Sequence, residues 1–268
     1  MLFKCDRKPK IITMLRQVTT RAFSPGGNRY FFKRGVSNLQ IGNEKSETIY
    51  TRDDYPLKRC RDIIGVKTIS ILGYGPQGRG QALNLRDNGF NVILGLRKGG
   101  KSWERAVDDG WDREQIQDIQ TATKNGDIIK YLLSDAGQIS EWEQVKPHLD
   151  QNKTLYFSHG LAVTYQELTG VVPPENTDVI MVAPKGAGMT VRDKFLQGSG
   201  INSSYAVFQN HSGQAEETAR ALAFAIGSGH VFQTTFQNEV YSDLTGERCV
   251  LMGLIQAAFK AQYEVLRE

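Results

Sequence analysis

Short apolar runs alternate with longer amphipathic stretches along most of the chain. The apolar runs predict strands at 66–72, 91–97, 127–134, 153–158, 178–183 and 203–208, with a last one near 230–235. Helical spacing fills the intervals at 77–88, 102–109, 114–125, 138–149, 190–197 and 213–226. Such alternation implies α/β architecture: a parallel, doubly wound sheet of Rossmann type. From Glu239 the strand pattern stops. Val240, Leu244, Leu251, Leu254, Ile255, Ala258 and Phe259 recur at roughly helical spacing. One helix alone cannot bury such a face. Residues 235–268 therefore read as the start of an all-helical C-terminal domain, with the sequence truncated inside it.

The first strand runs into Gly73-Tyr74-Gly75-Pro76-Gln77-Gly78 and then a helix. Gly73 permits the turn, Gly75 lets backbone approach a pyrophosphate, and Gly78 lets helix and strand pack. Pro76 sits where a missing N–H costs little. The glycine run read alone is also compatible with a purely structural turn, but its strand–turn–helix setting favours dinucleotide binding. The next strand ends in Arg97-Lys98, followed by Lys101-Ser102, where an NAD site usually places an acid. A guanidinium grips a 2′-phosphate by charge-assisted bonds, so NADPH is expected; the alternative is a solvated basic loop.

Ligands of open α/β sheets bind beyond the carboxyl ends of strands. Three such ends carry polar groups: Ser134-Asp135-Ala136-Gly137-Gln138, Ser158-His159-Gly160 and Ala183-Pro184-Lys185-Gly186. His159 is a candidate for binding or proton transfer, against a merely structural histidine. On the terminal helix Asp243 and Glu247 lie at i, i+4, about 6 Å apart on one face. Magnesium favours such oxygen ligands. Taken alone, the pair fits a solvated acidic face as well.

Charge changes the picture at one end only. Residues 1–34 hold nine basic residues against Asp6, so the rest of the chain is net −4 within an overall +4. With Thr19, Thr20 and Ser24, this start reads as an organelle transit peptide within a 1–47 presequence and linker. A disordered tail or a start at Met14 are the alternatives. Residues 48–65 read as a lead-in to a 48–234 cofactor domain. The basic residues do not alternate with stacking aromatics, which argues against a nucleic-acid arm. No apolar run is long enough for a membrane helix. Cys5, Cys60 and Cys249 are far apart with no CxxC, which disfavours a disulfide framework or zinc site and fits a reduced compartment.

Together, GYGPQGRGQALNLRDNG, GLRKGGKSW, LLSDAGQ, TLYFSHG, VIMVAPKG, GINSSYAVFQ and SDLTGERCVLMG resemble ketol-acid reductoisomerase (acetohydroxy-acid isomeroreductase), most closely its mitochondrial, fungal-type members. The resemblance runs from about Thr48 to the last residue. It implies cofactor contacts from Gly73, Tyr74, Gly75, Pro76, Gln77, Gly78, Arg97, Ser102, Ser134, Asp135, Gln138 and Gly188. It implies active-site roles for His159 and Lys185, and magnesium ligation by Asp243 and Glu247. Pro76 stands where the family often has Ser or Ala, a change that should preserve the turn. The family supplies a second pair of metal-site glutamates and a substrate-contacting serine beyond the point where this sequence stops.

The implied reaction is magnesium-dependent alkyl migration in 2-acetolactate or 2-aceto-2-hydroxybutyrate, then NADPH reduction to a 2,3-dihydroxy-3-methyl acid, in valine and isoleucine biosynthesis. A mitochondrial matrix location, rather than a plastid one, and a homo-oligomer at full length go with it. A β-hydroxyacid-type dehydrogenase and a non-catalytic NADPH-binding fragment are the competing readings.

Overall fold

The computed structural model describes residues 37–41, 45–149 and 152–267. The basic segment 1–34, read as a transit peptide, lies outside the described residues. The strands are β1 (Ser37–Ile41), β2 (Lys45–Thr51), β3 (Ile69–Leu72), β4 (Val92–Gly95), β5 (Ile116–Gln117), β6 (Ile128–Tyr131), β7 (Thr154–Phe157), β8 (Asp178–Pro184), β9 (Ser203–Gln209) and β10 (His230–Gln233). The helices are α1 (Leu57–Ile64), α2 (Pro76–Asp87), α3 (Lys101–Asp108), α4 (Ile119–Asn125), α5 (Asp135–Val145), α6 (Leu161–Thr164), α7 (Gln166–Thr169), α8 (Gly188–Leu196), α9 (Ala215–Ala225) and α10 (Phe236–Ser242). A π-helical segment, Asp243–Leu254, leads into α11 (Ile255–Arg267).

Among the described residues ten strands form one sheet, ordered β1-β2-β10-β9-β8-β7-β6-β3-β4-β5. The block β8-β7-β6-β3-β4-β5 is parallel, as expected. Its side chains alternate between two cores. Ile128, Tyr156, Ile180 and Val182 join one cluster, while Ile129, Tyr131, Leu155, Phe157, Val179 and Met181 join the other. Successive strand residues point to opposite faces, so the clusters lie on opposite sides of the sheet. That two-sided burial is why these strands read as near-continuous apolar runs.

Four expectations need correction. First, β9 runs antiparallel to β8, with Pro184 opposite Ser203. The intervening α8 packs on α2, where Asn84 Nδ2 donates to the Val191 carbonyl (3.3 Å), and does not cross back over the sheet. The chain therefore re-enters the sheet at the edge it left. Second, residues placed in the linker and lead-in form β1 and β2, an antiparallel hairpin that joins β10. Third, the helix expected over 114–125 is a short strand, β5, followed by α4. Asp118 caps that helix by accepting from Thr121 N (2.9 Å). Fourth, the terminal helix is not uniformly α-helical. From Asp243 it widens into i→i+5 bonding over a stretch that contains Gly246 and Gly253, both poor helix formers, and buries no residue.

Among the described residues no helix is long and apolar enough to cross a membrane.

Candidate functional site

The parallel strands β3, β6, β7 and β8 end along one edge of the sheet, and a cleft of about 650 Å³ opens there. Its wall includes Gly75, Pro76, Gln77, Ser134, Asp135 and Gln138. The metal-end candidates His159, Lys185, Asp243 and Glu247 line the same cleft. Residues drawn from five separate segments thus meet in one place.

At the glycine turn, Gly73 has φ +97°, a conformation that disfavours side chains, and a Cβ there would lie 2.8 Å from the Leu132 carbonyl oxygen. Gly75 is the N-cap of α2 and offers no side-chain cap to the first-turn N–H groups. A Cβ at Gly75 meets nothing within 4 Å. Open space in front of uncapped N–H donors is an anion cradle, which fits a pyrophosphate. Gln77 fastens the turn to the segment just past β8, its Nε2 donating to the Gly186 carbonyl (3.1 Å). Gln81 continues the tie: its Nε2 donates to Ser158 Oγ (2.8 Å), while its Oε1 accepts from Tyr156 Oη (3.0 Å).

Ser134 caps α5, accepting from Gly137 N (3.2 Å). Gln138 is buried, and its Nε2 donates to the Leu133 and Tyr131 carbonyls (3.1 and 3.3 Å). Its Oε1 is buried and has no hydrogen-bond partner among the described residues. Tyr74 turns its ring into the core, so any cofactor contact it makes is through backbone. Gly73, Gly78 and Gly188 do not line the cleft; they shape the turn behind it.

Arg97 stands apart, its side chain exposed, in a second cavity of about 390 Å³ with Lys98, Asp118, Gln120, Glu141 and Gln144. Glu141 approaches it at 4.0 Å. Ser102, half-buried in α3, lines neither cavity.

At the other end of the cleft the central residue is one that the sequence reading passed over. Glu239 is buried on α10, four residues before Asp243. Its Oε2 accepts from the Gly160 backbone N–H (3.2 Å) and lies 3.1 Å from His159 Nδ1. Its Oε1 lies 3.7 Å from Lys185 Nζ. Asp243 Oδ2 is 3.6 Å from His159 Nδ1 and 3.5 Å from Arg248 Nε; Arg248 also reaches Asp135 at 3.6 Å. Burial alone would lower the His159 pKa, but the hydrogen bond and charge of Glu239, with Asp243 and Asp135, outweigh it and hold the imidazole above 6.5. Burial likewise opposes the charge on Glu239, and His159, Lys185 and the Gly160 N–H overcome it, so its carboxyl is held below its usual range.

Ligand atoms of His159, Glu239 and Asp243 all lie within 4.8 Å of one another. Two hard carboxylates at that spacing fit a divalent cation, with Glu247 one turn further on at the cleft. Glu239, Asp243 and Glu247 repeat every fourth residue. The spacing that marks Asp243 and Glu247 extends to Glu239, and that signal was available in the sequence.

The family descriptions "Acetohydroxy acid isomeroreductase, NADPH-binding domain" and "Ketol-acid reductoisomerase, C-terminal domain" match residues 63–231 and 236–268. "Ketol-acid reductoisomerase, mitochondrial" of Neurospora crassa is 51% identical, covering 88% of this chain and 58% of its own length. "Ketol-acid reductoisomerase (NAD(+))" of Desulfosudis oleivorans is 53% identical, over 83% of this chain and 63% of its own. A solved NADH-preferring ketol-acid reductoisomerase from an uncultured archean superposes with a TM-score of 0.73 at 40% identity, covering 81% of this chain and 65% of that one. The chain thus spans about three fifths of the length of these curated relatives. With both family descriptions matched in order, and with the turn, strand ends and acidic helix meeting in one cleft, the chain belongs to the ketol-acid reductoisomerase family.

Proposed function

We propose that this chain supplies the NADPH site and the first metal-binding carboxylates of a reductoisomerase. The enzyme would rearrange 2-acetolactate or 2-aceto-2-hydroxybutyrate and reduce the product to a 2,3-dihydroxy-3-methyl acid. The observation that carries this reading is the single cleft, with an open phosphate cradle at Gly75 and the Glu239–Asp243–His159 cluster on its walls. NADPH, when bound, supplies hydride. Magnesium, when bound, polarises substrate oxygens as a Lewis acid.

The chain's own residues divide the remaining work. Gly73 to Gly78 and the start of α2 hold the pyrophosphate. Ser134, Asp135 and Gln138 border the cofactor path, with Gly188 supporting the turn. Asp243 and Glu247 offer oxygens to the cation. Lys185 and His159 hold Glu239 ionised, and His159 keeps a proton at Nδ1 between the two carboxylates. A mitochondrial location fits the relatives' names and the basic 1–34 segment; the matrix, and a homo-oligomer, are our further reading.

Relatives of both cofactor preferences exist, so the choice of NADPH rests on Arg97, Lys98, Lys101 and Ser102. Calorimetry on the chain should show Arg97→Ala weakening NADPH about tenfold, the scale of one charge-assisted contact, with NADH affinity nearly unchanged. Equal loss for both cofactors contradicts this assignment. A β-hydroxyacid-type dehydrogenase needs no magnesium, so turnover undiminished by a chelator would favour that reading instead.

A further inference from the structure

The glycine turn is tied to an element remote from the cleft. Tyr74, between Gly73 and Gly75, has only 1% of its surface exposed. Its Oη donates to Asp109 Oδ2 (2.9 Å) and accepts from Trp111 Nε1 (2.8 Å). Arg79, in the first turn of α2, grips the same carboxylate with both ends of its fork: Nε to Oδ2 at 2.6 Å and Nη2 to Oδ1 at 2.7 Å. Arg86, from the last turn of α2, donates to the Asp109 carbonyl (3.0 Å) and lies 4.7 Å from the centre of the Trp111 ring. The Asp109 carboxylate therefore joins the glycine turn to the first turn of α2, while its backbone carbonyl holds the last turn of α2.

Asp109 is the C-cap of α3. The other end of α3 begins after Gly100, whose N–H donates to the Arg97 carbonyl (3.1 Å), and carries Lys101 and Ser102 in its first turn. An eight-residue helix is a stiff rod of about 12 Å. Fixing its far end to the glycine turn fixes where its near end holds the cationic loop.

We propose that Asp109 is a positioning residue for cofactor choice: it holds the pyrophosphate turn and the 97–102 loop in one register, so that a single dinucleotide with a 2′-phosphate meets both at once. This rests on the NADPH reading above. The distance between pyrophosphate and 2′-phosphate is set by the nucleotide's own covalent frame. Slack between the two grips therefore costs NADPH a contact that NADH never makes. A bidentate Arg–carboxylate pair, half-shielded from water, has the directionality to remove that slack. No side chain of the lock lines the cleft or the Arg97 cavity, so it acts on preference through geometry.

The test is fluorescence titration of NADPH and of NADH into the full chain and into Asp109→Asn and Tyr74→Phe, with melting followed alongside. The lock predicts that Asp109→Asn weakens NADPH about tenfold and NADH at most about threefold, lowering the preference ratio. Tyr74→Phe removes one hydroxyl and keeps the ring, so it should fold and shift the ratio in the same direction by less. The double variant should shift it less than the two single effects multiplied, because both act through one lock. Equal weakening of both cofactors, or lower melting with an unchanged ratio in Tyr74→Phe, assigns Asp109 a purely structural role and overturns the inference. An unmodified chain that binds no NADPH overturns the cofactor reading, and the inference with it.

Discussion

Replacing Lys130 with methionine is expected to raise the melting temperature of this chain by roughly 4–8 °C, equivalent to about 2 kcal/mol. Lys130 lies on β6 with 0% exposure, on the sheet face that carries Ile128 and Ile180. Its Nζ has no hydrogen-bond partner and sits 3.9 Å from the centre of the Tyr156 ring. A charged ammonium over that ring would gain on the order of 2 kcal/mol, well short of the cost of drying the ion. Burial therefore drives the amine's pKa well below 10.5, toward the neutral form.

The sign of the pH dependence follows. Between the lowered folded pKa and the unfolded value of about 10.4, the unfolded chain binds a proton that the folded chain does not. Stability from this site therefore rises with pH through that window and falls as pH drops. Methionine has similar length, no charge and no donor. The advantage of Lys130→Met should grow as pH falls below about 10.4 and level off beneath the folded pKa. Thermal melts of both proteins across that range check it. A lower melting temperature for the variant, or a difference that ignores pH, would show that the amine is satisfied and charged.

Gly188→Ala has the opposite effect and a functional one. A Cβ at Gly188 would lie 2.1 Å from the Pro76 carbonyl carbon and 2.4 Å from Gln77 N. These are backbone atoms at the start of α2, so no side chain can swing aside. The contact is reciprocal, since a Cβ at Gly80 would lie 2.7 Å from the Gly188 carbonyl oxygen. Relief requires α2 and α8 to move apart, at about 2–3 kcal/mol. The N–H groups aimed at the pyrophosphate move with α2, and NADPH affinity should fall by at least about tenfold. Gly75→Ala separates the two effects. Its Cβ meets nothing within 4 Å, so melting should barely change, while the methyl occupies the space a phosphate needs. If Gly188→Ala binds NADPH normally, the turn does not depend on α8.

These two sites mark what the sequence could and could not show. The Gly73–Gly78 turn was legible because its demands are local: a positive φ, an open cradle and a helix start within six residues. Gly188 was picked out only through family resemblance, because the contact it makes is with a residue more than a hundred positions away. Lys130 was absorbed into an apolar strand, and only packing shows the amine stranded over Tyr156. An apolar run carries no direction, so the antiparallel entry of β9 stayed hidden until α8 was seen to pack on α2. The β1–β2 hairpin joins the sheet through backbone pairing, with few apolar side chains to announce it. At the acidic end of the cleft Asp243 and Glu247 are legible by spacing. Glu239 was not singled out, although it alone is buried and holds His159 and the Gly160 N–H.

On the proposed function, the cofactor turn and the acidic helix serve one reaction. The most direct measurement is NADPH oxidation with 2-acetolactate, using this chain joined to the part of the Neurospora crassa relative that the match leaves uncovered, with and without magnesium. The expected result is oxidation that requires magnesium, stops on chelation and is abolished by Asp243→Asn while NADPH still binds. Turnover that survives chelation, or that Asp243→Asn leaves intact, would contradict it.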